Sequence, residues 1–272
     1  VYRDSGGRLR AVIESGQLSS LTSGENYLDD LSSVLGVRLC RPLDDRSSAG
    51  KLTVIEAEPL AVSVGIAAMK KKGEKVSGDN GTYFKTDAGV LCVILSDGMG
   101  CGDEASRESA ECVAILEKFL RAGVEPASAM KILNSVMLLK GGDGFGFATV
   151  DLMCVNLFTG ETCFYKYGAA PSYVMSGKSV RRINGETMAA GVSSGEGAVP
   201  DLVRMKLRPG STALIASDGV MGGGDDAWVK KLMEEEPDDM KNLARAAVSM
   251  AGEIYGESDD MTVLAVRLEQ RA

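Results

Sequence analysis

Apolar and polar positions change period several times along these 272 residues. The opening stretch VYRDSGGRLRAVI predicts a hairpin that turns at Ser5-Gly6-Gly7. Over residues 23–35, Leu28, Leu31 and Leu35 recur at three- and four-residue steps, which predicts a helix. A polar break follows at 44–50 (DDRSSAG), and LTVIEAE then alternates as a strand does. From about Pro59 the pattern is mostly β. AVSVGIAAMK, TYFKT and VLCVIL predict strands joined by Gly- and Lys-rich turns. Two helices come next. Residues 103–122 carry Val113, Leu116 and Phe119/Leu120 on one face, and residues 126–140 carry Met130, Leu133 and Val136/Met137. GFATVDLMCVNL, ETCFYKYG, SYVMSG, VRRI, LVRMKL and TALIAS predict a second run of strands. One helical stretch is expected from 228 to about 255, and TVLAVRL closes the chain as a strand.

Strands therefore fall in two runs, split by a helix pair and followed by another helix. The short turns SGKS and TGET favour antiparallel hairpins. That excludes a doubly wound parallel sheet and predicts an α+β fold of two stacked antiparallel β-sheets flanked by α-helices. Residues 1–57 read apart from 58–272 and contain no chemical constellation.

Composition narrows the function. Hydrophobic residues make up 44% and charged residues 25%, enough for a sizeable core in a globular chain. The net charge of −8 argues against a nucleic-acid partner. No apolar run reaches the roughly 18–20 residues of a membrane span, so no membrane contact by this chain is expected. Position 1 is Val and no signal peptide precedes it, which suggests a cytoplasmic piece of a longer protein whose upstream region could hold an anchor. Six cysteines without a CxxC pair read as reduced, Cys92 and Cys154 as small core residues. The chain has no histidine. Ser-His-Asp triads, Cys-His pairs and HExxH zinc sites are therefore excluded.

Two stretches repeat one design: VLCVILSDGMGCG at 90–102 and STALIASDGVMGGG at 211–224, each an apolar run ending in Ser-Asp-Gly. With SGDN (Asp79) and ESDDMT (Asp259, Asp260) they make four acidic loops at strand ends, and Asp97 and Asp218 follow buried strands directly. Carboxylates brought together repel and hold their protons more tightly. A pair of hard divalent cations would compensate them and suit displacement at phosphorus. Gly98 and Gly219 would let a backbone carbonyl reach a metal, with no side chain to block the approach. Spacing alone leaves two readings open, a set of ordinary Asp-Gly turns and a two-metal hydrolase.

The ordered series VSGDN, ILSDGMGCG, FATVDLMCVNLFTGETCFYKYGAAPSYV, IASDGV and SDDMTVLAVRL resembles the metal-dependent protein phosphatases of type 2C. The likeness is to their bacterial branch acting on sigma-factor regulators, the sporulation stage II protein E branch, and it covers about 58–272. It implies an α-β-β-α sandwich and two Mn2+ or Mg2+ ions. Asp97 would bridge both ions, with the Gly98 carbonyl on one and Asp218 and Asp259 on the other. Asp79 matches the acidic residue of the first motif, and Asp260 stands where the family usually has Asn. Some relatives carry a further acidic residue where this chain has Gly78. The resemblance also implies a phosphoserine protein substrate, the anti-anti-sigma factor, whose dephosphorylation activates a sporulation sigma factor. Residues 1–57 look like the end of a regulatory region. The 103–140 helix pair, with Glu104, Arg107, Glu108 and Glu111 near its start, is the candidate switch, because Gly100, Cys101 and Gly102 join it to the Asp97 loop. Homodimers or larger assemblies through the helix pair or the N-terminal segment are expected.

Other features read blandly. GGDGFGF at 141–147 lacks a P-loop's Gly-Lys-Ser/Thr and reads as a connection. Lys70-Lys71-Lys72 reads as a solvated turn, or as a place to meet an acidic partner near Asp79. The competing functions are a catalytically silent phosphatase-like scaffold, which predicts a lost ligand, and a hydrolase of small phosphoesters, which predicts a base- or sugar-binding feature that the 5% aromatic content does not supply.

Overall fold

The structure is a computed structural model and describes residues 1–4, 7–24, 26–42, 47–48, 50–100, 102–140, 146–195, 199–222, 225–235 and 239–271. Cys101, residues 141–145, and parts of the first turn and of the polar break lie outside the described residues. The chain divides into two compact units.

The smaller unit holds residues 1–59 with 87–89. Its elements are β1 (Tyr2–Arg3), β2 (Leu9–Glu14), α1 (Leu18–Leu21), α2 (Tyr27–Leu35), β3 (Leu39–Cys40) and β4 (Lys51–Glu56). The expected hairpin, helix and strand form, and one turn of helix (α1) and a two-residue strand (β3), too short to show a period, join them. The strands make one antiparallel sheet in the order β1-β2-β4-β3. Leu9, Ala11, Leu52 and Val54 alternate onto the face that α2 covers with Leu28, Leu31 and Leu35. Arg8 and Glu58, both buried, pair at 2.9 Å.

The larger unit holds two five-stranded sheets, every pairing antiparallel. Its elements run β5 (Leu60–Met69), β6 (Asp79–Lys85), β7 (Val90–Gly98), α3 (Gly102–Arg121), α4 (Pro126–Lys140), β8 (Ala148–Asn156), β9 (Glu161–Tyr167), β10 (Ser172–Ser176) and β11 (Ser179–Ile183). They continue β12 (Asp201–Lys206), β13 (Thr212–Ala216), α5 (Asp218–Met221), α6 (Ala227–Glu234), α7 (Met240–Tyr255) and β14 (Met261–Gln270). One sheet has the order β12-β9-β8-β7-β6, the other β11-β10-β13-β14-β5.

Three apolar layers explain the continuous hydrophobic runs. In β7, Leu91, Val93 and Leu95 face the second sheet, while Cys92 and Ile94 face α3 and α4. In β13, Ala213 and Ile215 face inward, and Leu214 and Ala216 meet α6 and α7. A strand covered on both faces has no polar side, so its sequence does not alternate. The layers are thus helix, sheet, sheet, helix, as expected. One expectation needs correction. The helical stretch at 228–255 is two helices, α6 and α7. Pro237 lies between them in the sequence, and proline both lacks an amide donor and disfavours helix in the residue before it.

Candidate active site

Asp79 opens β6 and stands directly opposite Asp97 of β7, which is itself opposite Thr149 of β8. Asp97 continues the Leu91-Val93-Leu95 face, so it sits at the rim of the space between the sheets. On the other sheet β13 and β14 run side by side, Ala216 opposite Val263. Asp218, two residues past Ala216, and the Asp259-Asp260 pair preceding β14 therefore share one end. Hairpin geometry within each sheet, and stacking of the two, bring five acidic residues from four separate motifs to one rim.

The acidities of these groups report that convergence. Burial pushes Asp97 up to about 8, and the charges of Asp79, Asp218 and Asp259 add to the rise. Burial likewise raises Asp79 to about 6, with Asp260 and Asp218 contributing and the nearby hydroxyls of Ser217 and Thr262 offsetting part of it. Asp218 is raised by burial and then by Asp259, against the opposing pull of the Gly219 amide. Both carboxylate oxygens of Asp79 are buried without a hydrogen-bond partner. That arrangement is costly unless a cation or proton meets them.

The repeated Ser-Asp-Gly has a separate reason at each letter. The serines tie strand to strand. Ser96 donates to the Thr149 carbonyl at 2.8 Å, and Thr149 Oγ1 accepts from the Asp97 amide at 3.3 Å. Ser217 accepts from the Thr262 amide at 2.9 Å and donates its own amide to the Thr262 carbonyl at 3.0 Å. The glycines clear room for backbone. A Cβ on Gly98 would lie 2.0 Å from the Ala105 carbonyl oxygen of α3, and one on Gly219 would lie 2.1 Å from the Asp260 carbonyl oxygen. Gly78 is also confined. Its Cβ would stand 3.2 Å from the Ala105 side chain and 3.3 Å from Asp260 Oδ2.

Asp260 differs from the other four. Its Oδ1 accepts from the Lys71 amide at 2.8 Å and its Oδ2 from the Gly78 amide at 2.7 Å, while its own amide donates to Asp259 Oδ1 at 3.0 Å. It pins the β5–β6 loop rather than offering free oxygens to the rim.

The start of α3 is latched to β6. Ser109 Oγ donates to the Gly78 carbonyl, and Asn80 Nδ2 donates to the Ser106 carbonyl at 3.0 Å and to Ser109 Oγ at 2.7 Å. Asp79 thus lies between two residues held by α3. Of the expected switch residues, Glu104 and Arg107 are exposed and loosely paired at 3.9 Å, and Glu111 pairs with Lys140 of α4. Glu108 is buried, and that burial raises its pKa, so it holds its proton more tightly than an ordinary glutamate. Two features carried no sequence signal: the Ser109–Asn80 latch, and a buried group in which Lys166 meets Asp151, the Ala170 carbonyl (2.7 Å) and Ser172 Oγ (2.8 Å). Polar residues inside strands and helices break no period when neighbours from distant segments satisfy them.

The donors fit a hard divalent cation: all are oxygens, and two of them, on Asp79, are buried and unpartnered. Among the described residues no three acidic or sulfur side chains converge tightly enough to enclose an ion by themselves.

The stacked antiparallel sheets between helix layers are the fold of the type 2C phosphatases. The phosphatase domain of stage II protein E from Bacillus subtilis together with a fragment of its regulatory domain superposes with a TM-score of 0.78, covering 100% of this chain and 81% of that one at 24% identity. The isolated phosphatase domain from the same organism gives 0.62, covering 80% and 96% at 28% identity. Residues 87–269 match the model of the family described as stage II sporulation protein E, and the chain belongs to that family. Stage II sporulation protein E of Bacillus subtilis (strain 168) is 32% identical over 219 residues, which is 76% of this chain and 26% of the relative. That of Priestia megaterium is 31% identical over 217 residues, 76% of this chain and 36% of the relative. The chain thus spans about a quarter to a third of the length of these relatives. Among the described residues no helix is long and apolar enough to cross a membrane.

Proposed function

We propose that residues 58–272 form a Mn2+- or Mg2+-dependent protein serine phosphatase acting on a phosphoserine anti-anti-sigma factor, and that residues 1–57 belong to a regulatory segment. The observation that carries the reading is the meeting of Asp79, Asp97, Asp218 and Asp259 at one rim in a chain without histidine. Membership of the sporulation family supports the sigma-factor pathway as its setting.

Two ions would be held by Asp97, the Gly98 carbonyl, Asp218, Asp259 and Asp79. Asp97 feels the charges of Asp79, Asp218 and Asp259, which supports its place among the ligands. Asp260 is better cast as the residue that positions the β5–β6 loop, both its oxygens being engaged by amides. When bound, divalent ions offset charge on the phosphoryl oxygens and make water a competent nucleophile at neutral pH. The chain's own part is to fix the acidic groups. Thr149 and Ser96 hold Asp97 in the ladder, Ser217 and Thr262 hold the Asp218 turn against β14, and Gly98 and Gly219 admit the neighbouring backbone. The rim's high proton affinity makes cation and proton competitors for the same oxygens.

Release of inorganic phosphate from a phosphoserine protein, with manganese, with chelator, and with Asp218→Asn, tests this. Manganese-dependent release that falls at least ~10²-fold in Asp218→Asn is expected, since several kcal/mol of charge stabilisation are lost at about 1.4 kcal/mol per tenfold. Release indifferent to chelator and to the substitution sinks the reading. Tight binding of the phosphoprotein without release under either metal would instead establish a silent scaffold.

A further inference from the structure

Residues 70–78 (KKKGEKVSG) join β5 to β6 and end against Asp79. Three backbone bonds fix this loop. Asp260 takes the amides of Lys71 and Gly78, near its two ends, and the Lys72 amide donates to the Glu257 carbonyl at 3.0 Å. Gly73 turns it at a φ of 92°, and Glu74 leans to the start of α3, where a Cβ on Gly102 would be 3.3 Å from its Oε2. The loop is therefore a placed element of the acidic rim, not a free tether.

Its side chains behave oppositely to its backbone. Lys70, Lys72 and Lys75 are exposed. Among the described residues none of the three makes an ion pair. Lys70 Nζ reaches only the Lys75 carbonyl, at 3.5 Å. Five acidic residues lie at the rim that the loop borders. These three lysines pair with none of them. A molecule of net charge −8 repels a phosphoprotein at a distance, so a compact cationic lip beside the rim is where such a substrate would first be held.

We propose that Lys70, Lys72 and Lys75 form a docking lip that selects phosphoserine segments flanked by acidic residues. The inference rests on the phosphatase reading of the adjoining rim. Three lysines within six residues fit a short acidic segment. An anionic bilayer or a nucleic acid demands a broader basic surface, which a chain of this net charge does not offer. The lysines are expected to act on substrate capture and not on the phosphoryl group, because the loop meets the rim through the Lys71 and Gly78 amides and not through these side chains.

The test uses the intact manganese-loaded chain, Lys70→Ala/Lys72→Ala/Lys75→Ala, and the corresponding triple Glu variant. Three substrates are compared: a phosphoserine peptide flanked by Asp and Glu, the same peptide flanked by Ala, and p-nitrophenyl phosphate. The Ala variant is expected to raise KM for the acidic peptide by about 5- to 30-fold with kcat within about twofold, and to change the other two substrates by less than about twofold. The gap between the two peptides should close as salt is raised. The Glu variant should prefer a Lys-flanked peptide. Equal losses on all three substrates, or no change on any, overturn the proposal, as does lysine-dependent binding to phosphatidylserine vesicles without peptide discrimination. If the unsubstituted chain hydrolyses none of the substrates, the phosphatase reading fails separately, and fluorescence anisotropy of the labelled acidic peptide still decides the lip: lysine-dependent binding sustains it, and lysine-independent binding or none overturns it.

Discussion

At the scale of single residues, the rim exchanges stability for ligand capacity. Asp97 holds its proton up to about pH 8, against an ordinary carboxylate value of 3.8. A folded-state pKa raised above the unfolded one gives stability that is fully present below about pH 4 and is lost as pH rises through about 8. Without metal the protein should therefore weaken across that window, and Asp97→Asn should flatten the loss. We expect Asp97→Asn to abolish phosphate release and yet raise the melting temperature of the metal-free chain at pH 8 by a few degrees, at about 2–4 °C per kcal/mol. Calorimetry from pH 5 to 9 checks it, and a lower melting temperature for the variant at pH 8 contradicts the repulsive cluster. Asp260→Asn has a different outcome. An amide can accept only on its oxygen, so one of the Lys71 and Gly78 amides loses its partner, at a cost of about 1–3 kcal/mol. Denaturant titration should show that loss for Asp260→Asn and little for Asp259→Asn, whose expected defect is in metal affinity. The five acidic positions were legible as motifs. The resemblance already set Asp259 apart from Asp260, but what Asp260 does instead was not legible, because it depends on a loop nearly 190 residues away in sequence.

At the scale of elements, close approach decides what the rim can be. Gly98 lies against the backbone of α3, and no side-chain adjustment relieves a Cβ at 2.0 Å from a carbonyl oxygen. Gly98→Ala should push α3 away, weaken metal binding at least ~10-fold and destabilise by roughly 2 kcal/mol or more, comparable to overpacking a core. Gly100→Ala is the control. Nothing lies within 4 Å of its Cβ position, so only the positive φ of 102° is strained, costing about 1–2 kcal/mol. Isothermal titration with Mn2+ separates the two, and equal metal affinity in both variants removes the special role of the Gly98–α3 contact. The sequence reading assigned Gly98 and Gly219 to a backbone carbonyl's reach for a metal, and the structure adds that neighbouring backbone occupies the place of each Cβ. What approaches, a helix in one case and the turn before β14 in the other, became visible only once the layers were assembled. The α6–α7 boundary was legible and overlooked: EEEPDD at 234–239 interrupts the apolar period and contains Pro237, and Asp239 caps α7 by accepting from the Lys241 amide.

At the scale of the whole molecule, the chain comprises two units with separate cores, and every candidate ligand lies in the larger. The smaller unit rests on one small cluster around Leu9, Leu39, Leu52 and Val54, with few fully buried side chains. A small core leaves little net stability. We expect calorimetry to resolve a low-temperature transition of residues 1–59 before the main one. Added Mn2+ should raise only the main transition, since a ligand stabilises the unit that binds it. A single transition raised as a whole by metal would show that the units unfold together.

What this sequence determined by itself is the list of elements and the chemistry available. Period-2 and uninterrupted apolar runs marked most of the strands, three- and four-residue steps marked the helices, and the absence of histidine left carboxylates as the only strong hard donors. Those signals are local, because each element must bury a face of its own. The tertiary structure decided which acidic residues meet, which glycine faces which backbone, and which lysines are left unpaired. Those are properties of contacts between segments far apart in the chain, and no local pattern carries them.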